Sequence, residues 1–234
     1  MQFKDQTLKK ALTFSFDDGV TQDIRMIELL NKYGLKGTFN LNSEWLGEKG
    51  IVGYPEQKLS HYKIHPDDIR FIYGEHEVAS HTLNHPFLPN LPDEEVTRHV
   101  EEDRLKLSEL AGYEVIGMAY PCGGQNNDDR VADVIKRTTG VKYARTISCT
   151  DSFDLQTNLY RFDPNVYYIE FDRLMDMGKR FIDLKADKMQ IFYVWGHSYE
   201  MDMDSRNWVR LEEFFEMISG KDDIFYGTNK EVLL

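Results

Sequence analysis

Cysteine is scarce: the chain has two, Cys122 and Cys149, and neither lies in a CxxC pair, which excludes a disulfide framework. Basic charge is also in short supply. Lys and Arg number 28 against 40 Asp and Glu, a net charge of −12, and such a field repels a nucleic-acid backbone. No run of 18 apolar residues exists, so no membrane-spanning helix is expected. Repeats, low-complexity tracts and Gly/Ser/Pro-rich linkers are absent as well, which leaves no boundary at which to divide the chain. The polar opening from Met1 to Lys10 lacks the apolar core of a secretory signal. A cytoplasmic protein and an exported one whose signal has been removed both remain open.

What is present is material for a packed core. The 234 residues are 41% apolar and 13% aromatic, which excludes a disordered chain and suits one domain spanning 1–234. Short β-rich runs alternate with amphipathic segments. Strands are expected at Ala11–Phe16, Gly37–Leu41, Glu77–Ser80, Val115–Tyr120, Tyr143–Ile147, Gln190–Trp195 and Ile224–Tyr226. Helices are expected at Ile24–Tyr33, Pro92–Leu110, Asp128–Thr138, Phe171–Leu184 and Trp208–Ser219. Residues 43–74, with Pro55, Pro66 and several glycines, read as a loop-rich insertion, and Lys230–Leu234 as a terminal helix or a continuing segment. Alternation of this kind predicts an α/β fold with a mainly parallel sheet, closed as a barrel or open, and places the chemistry at the C-terminal strand ends.

The unusual polar residues fall at those ends. Asp17 and Asp18 follow the first strand, His81 and His85 the short strand near 78, and Pro121–Gly124 the strand near 115. Asp151 and Asp154 follow the strand at 143, and His197 follows the strand at 190. Two histidines at i and i+4 lie one above the other if their segment is helical, and a carboxylate from another strand end completes a two-histidine, one-aspartate set with open positions. Hydrolytic zinc sites need such a set, and non-haem iron accepts it too. Two adjacent carboxylates at a strand end repel one another and raise one pKa unless a metal or another cation is near.

Thr13-Phe14-Ser15-Phe16-Asp17-Asp18-Gly19 and Ser80-His81-Thr82-Leu83-Asn84-His85-Pro86 resemble the first two motifs of the polysaccharide deacetylases, the carbohydrate esterases with a NodB homology domain. The resemblance runs from about residue 10 to the C-terminus. It implies a distorted (β/α) barrel with one divalent metal, zinc first and cobalt or nickel as alternatives. Asp18, His81 and His85 would be the ligands and Asp17 the general base. The family's third motif, Arg-x-Pro-Tyr, stands here as Ala119-Tyr120-Pro121-Cys122. Its arginine is missing, while Cys122 can still supply a backbone N–H to the oxyanion. Arg145, at a later strand end, is the proposed substitute for that arginine beside Asp17. Asp151-Ser152-Phe153-Asp154-Leu155 resembles the fourth motif, with Leu155 where the family has tryptophan, and assigns Asp151 a catalytic role. Trp195-Gly196-His197 stands for the fifth, with His197 as general acid. Tyr120, Trp195 and Leu155 would contact substrate.

The implied activity is metal-assisted hydrolysis of N-acetyl, or O-acetyl, groups on an amino-sugar glycan. The partner is then a carbohydrate, with no nucleic acid and no membrane span, and no protein partner is readable. Three alternatives stay open: a cyclic-amide hydrolase of the allantoinase kind on the same fold, a catalytically degenerate carbohydrate-binding protein, and a structural domain with an inert metal. Covalent catalysis by Cys122 is disfavoured, since no histidine lies near it in sequence.

Overall fold

A computed structural model of the chain describes residues 8–54 and 57–234; the polar opening segment up to residue 7, and Pro55, lie outside the described residues. In chain order the elements are β1 (Lys10–Asp17), α1 (Asp23–Lys32), β2 (Gly37–Leu41), β3 (Lys49–Tyr54), β4 (Gln57–Tyr62), α2 (Ile69–Ile72), β5 (Glu77–Ser80) and α3 (Asp93–Ala111). They continue with β6 (Gly117–Ala119), α4 (Asp129–Thr138), β7 (Tyr143–Arg145), β8 (Val166–Tyr167), α5 (Phe171–Asp183), β9 (Gln190–Gly196), α6 (Ser205–Ile218), β10 (Ile224–Tyr226) and α7 (Asn229–Leu233). Apart from the antiparallel hairpin β3–β4, the strands form one parallel sheet in the order β7-β6-β5-β2-β1-β9-β8. One edge of β1 is shared: Lys10–Leu12 pair with β10 and Phe14–Asp17 with β2. At the far side, Phe162 bridges to Arg145 of β7 just before the chain enters β8 against β9, so the two ends of the curled sheet are linked. This is a distorted (β/α) barrel.

The period of two along β1 explains its eight fully buried residues. Leu12, Phe14 and Phe16 point outward into the main core, where Phe14 meets Phe214 and Phe215 of α6 edge-on and Phe16 stacks on Phe39. Thr13, Ser15 and Asp17 point into the barrel. There Thr13 donates to Asn229 Oδ1 (2.7 Å), and Asn40 Nδ2 donates to both Ser15 Oγ and Asp17 Oδ1 (2.8 Å each). The barrel interior thus carries a polar column from Asn229 of α7 up to Asp17 at its mouth, beside an apolar cluster of Ala11, Tyr143, Ile191 and Tyr193 with Val232 and Leu233 of α7. The terminal segment is a helix because Thr228 and Glu231 close a capping box, with the Thr228 N–H on Glu231 Oε2 (2.9 Å). Helix α3 stops at Gly112, whose φ of 78° is left-handed and whose Cβ would lie 2.7 Å from the Arg70 guanidinium.

Two readings of the sequence change. Residues 43–74 are not merely loop: they hold the β3–β4 hairpin, whose polar, half-exposed strands carry little of the apolar alternation that marks a strand. The His81–His85 segment is not helical. Thr82 and His85 have φ of 68° and 60°, and the two rings meet edge-on at 4.9 Å. Among the described residues, no helix is long and apolar enough to cross a membrane.

Candidate metal-dependent active site

Five strand ends deliver side chains to one cavity of about 180 Å³, bounded by Asp17, Asp18, His81, His85, Cys122, Trp195 and His197 among others. β1 ends in Asp17 and turns at once. Asp18 then takes a left-handed φ of 82°, with its N–H on the Asn40 carbonyl at 2.9 Å. Four non-glycine residues among those described have positive φ: Asp18, Thr82, His85 and Cys122. Each such residue costs on the order of 1–2 kcal/mol, and all four sit in the loops that form this cavity. Strain gathered in one place marks a site shaped by the surrounding fold rather than by local preference.

Asp17 is buried beneath Arg145, which is fully buried itself and places one terminal nitrogen 2.6 Å from Oδ1 and 2.5 Å from Oδ2. A second guanidinium nitrogen donates to the Thr146 carbonyl (3.0 Å), and the face of Trp195 lies 4.6 Å away. Burial works to raise the Asp17 carboxyl, but Arg145, with His81 and His197, holds it below its ordinary value. Oδ1 also accepts from Asn40, so Oδ2 is the oxygen that looks outward, 4.0 Å from His81 Nε2 and from His197 Nε2.

Asp18 approaches the same His81 Nε2 from its own side. Its Oδ1 lies 4.0 Å from both His81 Nε2 and His85 Nε2, and one donor atom from each of the three residues falls within 4.8 Å of the others. Burial opposes ionisation here too, yet a hydrogen bond from His61 and the charge of Lys63 hold the Asp18 carboxyl well below the usual range. Neither member of the Asp17–Asp18 pair is thus raised, because each has cations of its own. His81 Nδ1 sits 2.9 Å from the Ala119 carbonyl, which assigns the proton to Nδ1 and leaves the Nε2 lone pair turned to Asp18. Burial lowers the pKa of both imidazoles, to about 4 for His85 with help from His81, so both are neutral near pH 7. Neutral imidazoles whose Nε2 lone pairs face one carboxylate oxygen fit a divalent cation of the zinc class, although His85 Nε2 here accepts the Cys122 N–H, which a cation would displace.

His197 has the opposite protonation. Gly196 precedes it because a Cβ there would overlap the Tyr168 ring at 1.8 Å, and the Tyr168 hydroxyl donates to the His197 carbonyl. Burial would lower this imidazole. The Glu200 carboxylate 3.3 Å from Nδ1, together with Asp18 and Asp17, outweighs that and lifts it to about 9. Tyr167 donates to Glu200 Oε1 and stacks on Trp195 at 4.5 Å. The Cys122 N–H points into the cavity, 3.3 Å from His85 Nε2, and its thiol packs on the same histidine, 3.6 Å from Nδ1.

The structure thus brings together Asp17, Asp18, His81, His85, Cys122, Arg145, Trp195 and His197, and Tyr120 lines the cavity with its hydroxyl on the Tyr160 carbonyl (2.8 Å). It does not bring Asp151 or Leu155 there. Asp151 is exposed and bridged to Arg173 (3.0 Å), and Leu155 lines a separate open groove beside Gln125 and Asn158. The segment resembling the fourth motif leads away from the cavity, and Glu200 occupies the place beside His197. Glu200, Asn40, His61 and Lys63 were not singled out from the sequence. The one sequence signal for Glu200 is its position three residues after His197.

Comparison with known proteins agrees with this architecture. The model of the family "Polysaccharide deacetylase" matches residues 4–143. Among solved structures, the Puue allantoinase superposes with a TM-score of 0.71 at 12% identity, covering 98% of this chain and 90% of that one. A family 4 carbohydrate esterase from Streptomyces lividans, solved with acetate, gives 0.61 at 12% identity and coverage of 94% and 93%. A mutant of BA3943, a family pseudoenzyme from Bacillus anthracis, described as having restored activity, gives 0.60 at 18%, covering 97% of this chain and 68% of that one. The chain spans 62% of a Streptococcus pyogenes deacetylase, and no curated protein matches it significantly. At these identities the structures speak for the fold, while the family model covers more than half of the sequence. The chain belongs to the polysaccharide deacetylase family.

Proposed function

We propose that this protein is a metal-dependent hydrolase that removes N-acetyl or O-acetyl groups from an amino-sugar glycan or oligosaccharide. One observation carries the reading: an ionised carboxylate, Asp17, and a protonated imidazole, His197, stand 4.0 Å apart on the rim of the Asp18–His81–His85 cluster. Environments that push two titratable groups in opposite directions assign a base and an acid at neutral pH. A divalent cation held by Asp18, His81 and His85 supplies Lewis acidity and lowers the pKa of water towards about 7.

The chain's own residues do the rest. Asp17 Oδ2, the oxygen not bonded to Asn40, accepts the proton of the attacking water, while Arg145 keeps the carboxylate ionised and oriented. The Cys122 N–H is aimed at the cavity beside His85 Nε2. Once that lone pair is engaged elsewhere, the N–H is the donor for the developing oxyanion, a contribution of about 3 kcal/mol for a well-placed backbone group. His197 Nε2 gives its proton to the departing amine and leaves an imidazole still held by Glu200. Trp195, braced between Tyr167 and Arg145, forms an apolar wall suited to an acetyl methyl. A cavity of about 180 Å³ suits an acetyl group better than a sugar ring, which leaves the ring at the open mouth.

The fold shared with an allantoinase makes a cyclic amide the competing substrate, and a substrate panel decides between them. Zinc-loaded protein should release acetate from N-acetylglucosamine oligomers, and Asp17→Asn should cut this by a factor of roughly 10²–10⁴, the usual range for removing a general base. Hydrolysis of allantoin with no acetate release from any oligomer would contradict the acetyl-sugar reading.

A further inference from the structure

Asp18 is gripped from a side that none of the recognised motifs describes. The chain leaving β4 runs antiparallel to the loop after β1. The Thr21 N–H donates to the Tyr62 carbonyl (2.7 Å), the Ile64 N–H donates to the Gly19 carbonyl (2.9 Å), and Val20 sits opposite Lys63. That pairing presents His61 and Lys63 to Asp18. His61 Nε2 lies 3.1 Å from Asp18 Oδ2, and Lys63 Nζ donates to the Asp18 carbonyl oxygen at 2.6 Å. Both side chains are largely shielded, at 14% and 4% exposure. The His61 ring stands edge-on to Tyr199 at 4.9 Å. The Lys63 ammonium lies over Trp45, and Trp45 in turn stacks on His85.

The two carboxylate oxygens of Asp18 therefore differ in their neighbours. Oδ2 is taken by His61, and Oδ1 is the atom turned to His81 and His85, 4.0 Å from each, with the Lys63 ammonium 3.8 Å away. A carboxylate free to rotate can offer either oxygen or both, whereas one tied at Oδ2 offers a single fixed donor. The left-handed backbone of Asp18, at φ 82°, is braced by Lys63 on its carbonyl oxygen. Outer partners that orient a metal ligand typically contribute a factor of about 10–100 in metal affinity.

We propose that His61 is a positioning residue that fixes Asp18 as a one-oxygen metal ligand, with Lys63 bracing the Asp18 backbone, so that the β3–β4 hairpin is a working part of the metal site. This rests on the metal-site reading above and is independent of the substrate.

The test needs no turnover. Chelator-stripped protein is titrated with Co²⁺, following its visible bands and its affinity by chelator competition, for the wild type, His61→Ala and His61→Gln; glutamine can place an N–H where Nε2 now stands. Melting of the metal-free proteins is recorded alongside. The expected result is a 10–100-fold weaker Kd for His61→Ala, recovery to within a few fold in His61→Gln, unchanged band positions, and similar metal-free melting. Equal cobalt affinity in His61→Ala would overturn the proposal while leaving the metal site standing. So would a band shift in His61→Ala, since His61 would then itself be a ligand, or equal loss in both variants with lowered melting, a general structural role. A wild type that binds no cobalt would instead remove the metal-site reading, and this proposal with it.

Discussion

Replacing Arg145 by methionine keeps much of the side-chain volume and removes the cation over Asp17. In the wild type the pair is buried on both sides, with side-chain exposures of 0% and 2%, and after the change only Asn40 still donates to the carboxylate. Stranding one partner of a buried ion pair typically costs about 3–5 kcal/mol. In a chain of this size, at about 2–4 °C per kcal/mol, the melting temperature should fall by roughly 6–20 °C. The pH dependence gives the cause away. Wild-type Asp17 is depressed, so its contribution is present above the unfolded carboxylate value and is lost as pH falls through the folded one. Without Arg145, burial dominates and raises Asp17, so the variant binds the proton more tightly folded than unfolded and loses stability as pH rises. Melts of metal-free protein at pH 5 and pH 8 should therefore show a larger deficit at pH 8. The acid limb of kcat/KM should move to higher pH, with turnover at pH 7 down about a hundredfold or more. Arg145→Met with Asp17→Asn should melt above the sum of the two single losses, because neither charge is then stranded. A single variant that melts within a few degrees of wild type at pH 8, with turnover intact, would refute the reasoning.

The alkaline limb of kcat/KM should lie near pH 9, where His197 of the free protein gives up its proton. Glu200→Gln should move that limb to lower pH, because burial then acts on the imidazole without its carboxylate partner; an unmoved limb would take Glu200 out of the role. In stability terms the raised His197 contributes below its unfolded value near 6.5, and that contribution fades as pH climbs through about 9, which melts of wild type and Glu200→Gln across that window should reveal. Cys122→Ala should keep turnover within a few fold, since the backbone N–H and the left-handed φ of 70° are retained. A loss of several orders of magnitude would point to the thiol instead.

Much of the barrel was legible because the chain repeats one local unit. Apolar β-rich runs such as Ala11–Phe16 and Gln190–Trp195 alternate with segments whose apolar residues recur at helical spacing, and these became β1, β9 and the surrounding helices. The ligand candidates and the base–acid pair lay at strand ends, where a parallel sheet gathers side chains. Arg145 was legible as a basic residue at a neighbouring strand end, since β6 and β7 pair in register Ala119 to Arg145 and place its guanidinium where a residue at 119 would point. What escaped depends on packing between distant segments. The β3–β4 hairpin buries only a small apolar pair, Val52 and Leu59, against Val20 and Tyr199, so nothing in its pattern announced that His61 and Lys63 fold back onto Asp18. Asp151 went astray because the loop after β7 turns outward to Arg173, and a motif match carries no information about the path of a variable loop. The left-handed φ at Asp18, Thr82, His85 and Cys122 contradicts local preference at each position, and only the assembled site accounts for all four.

The most direct measurement is acetate release from N-acetylglucosamine oligomers by the intact protein, before chelation, after chelation and after zinc or cobalt is returned. Activity that disappears with the chelator, returns with the metal and is missing in both Asp17→Asn and Asp18→Asn is the predicted result. Acetate release that survives complete metal removal, or persists in Asp18→Asn, would contradict the metal-dependent deacetylase reading at its centre.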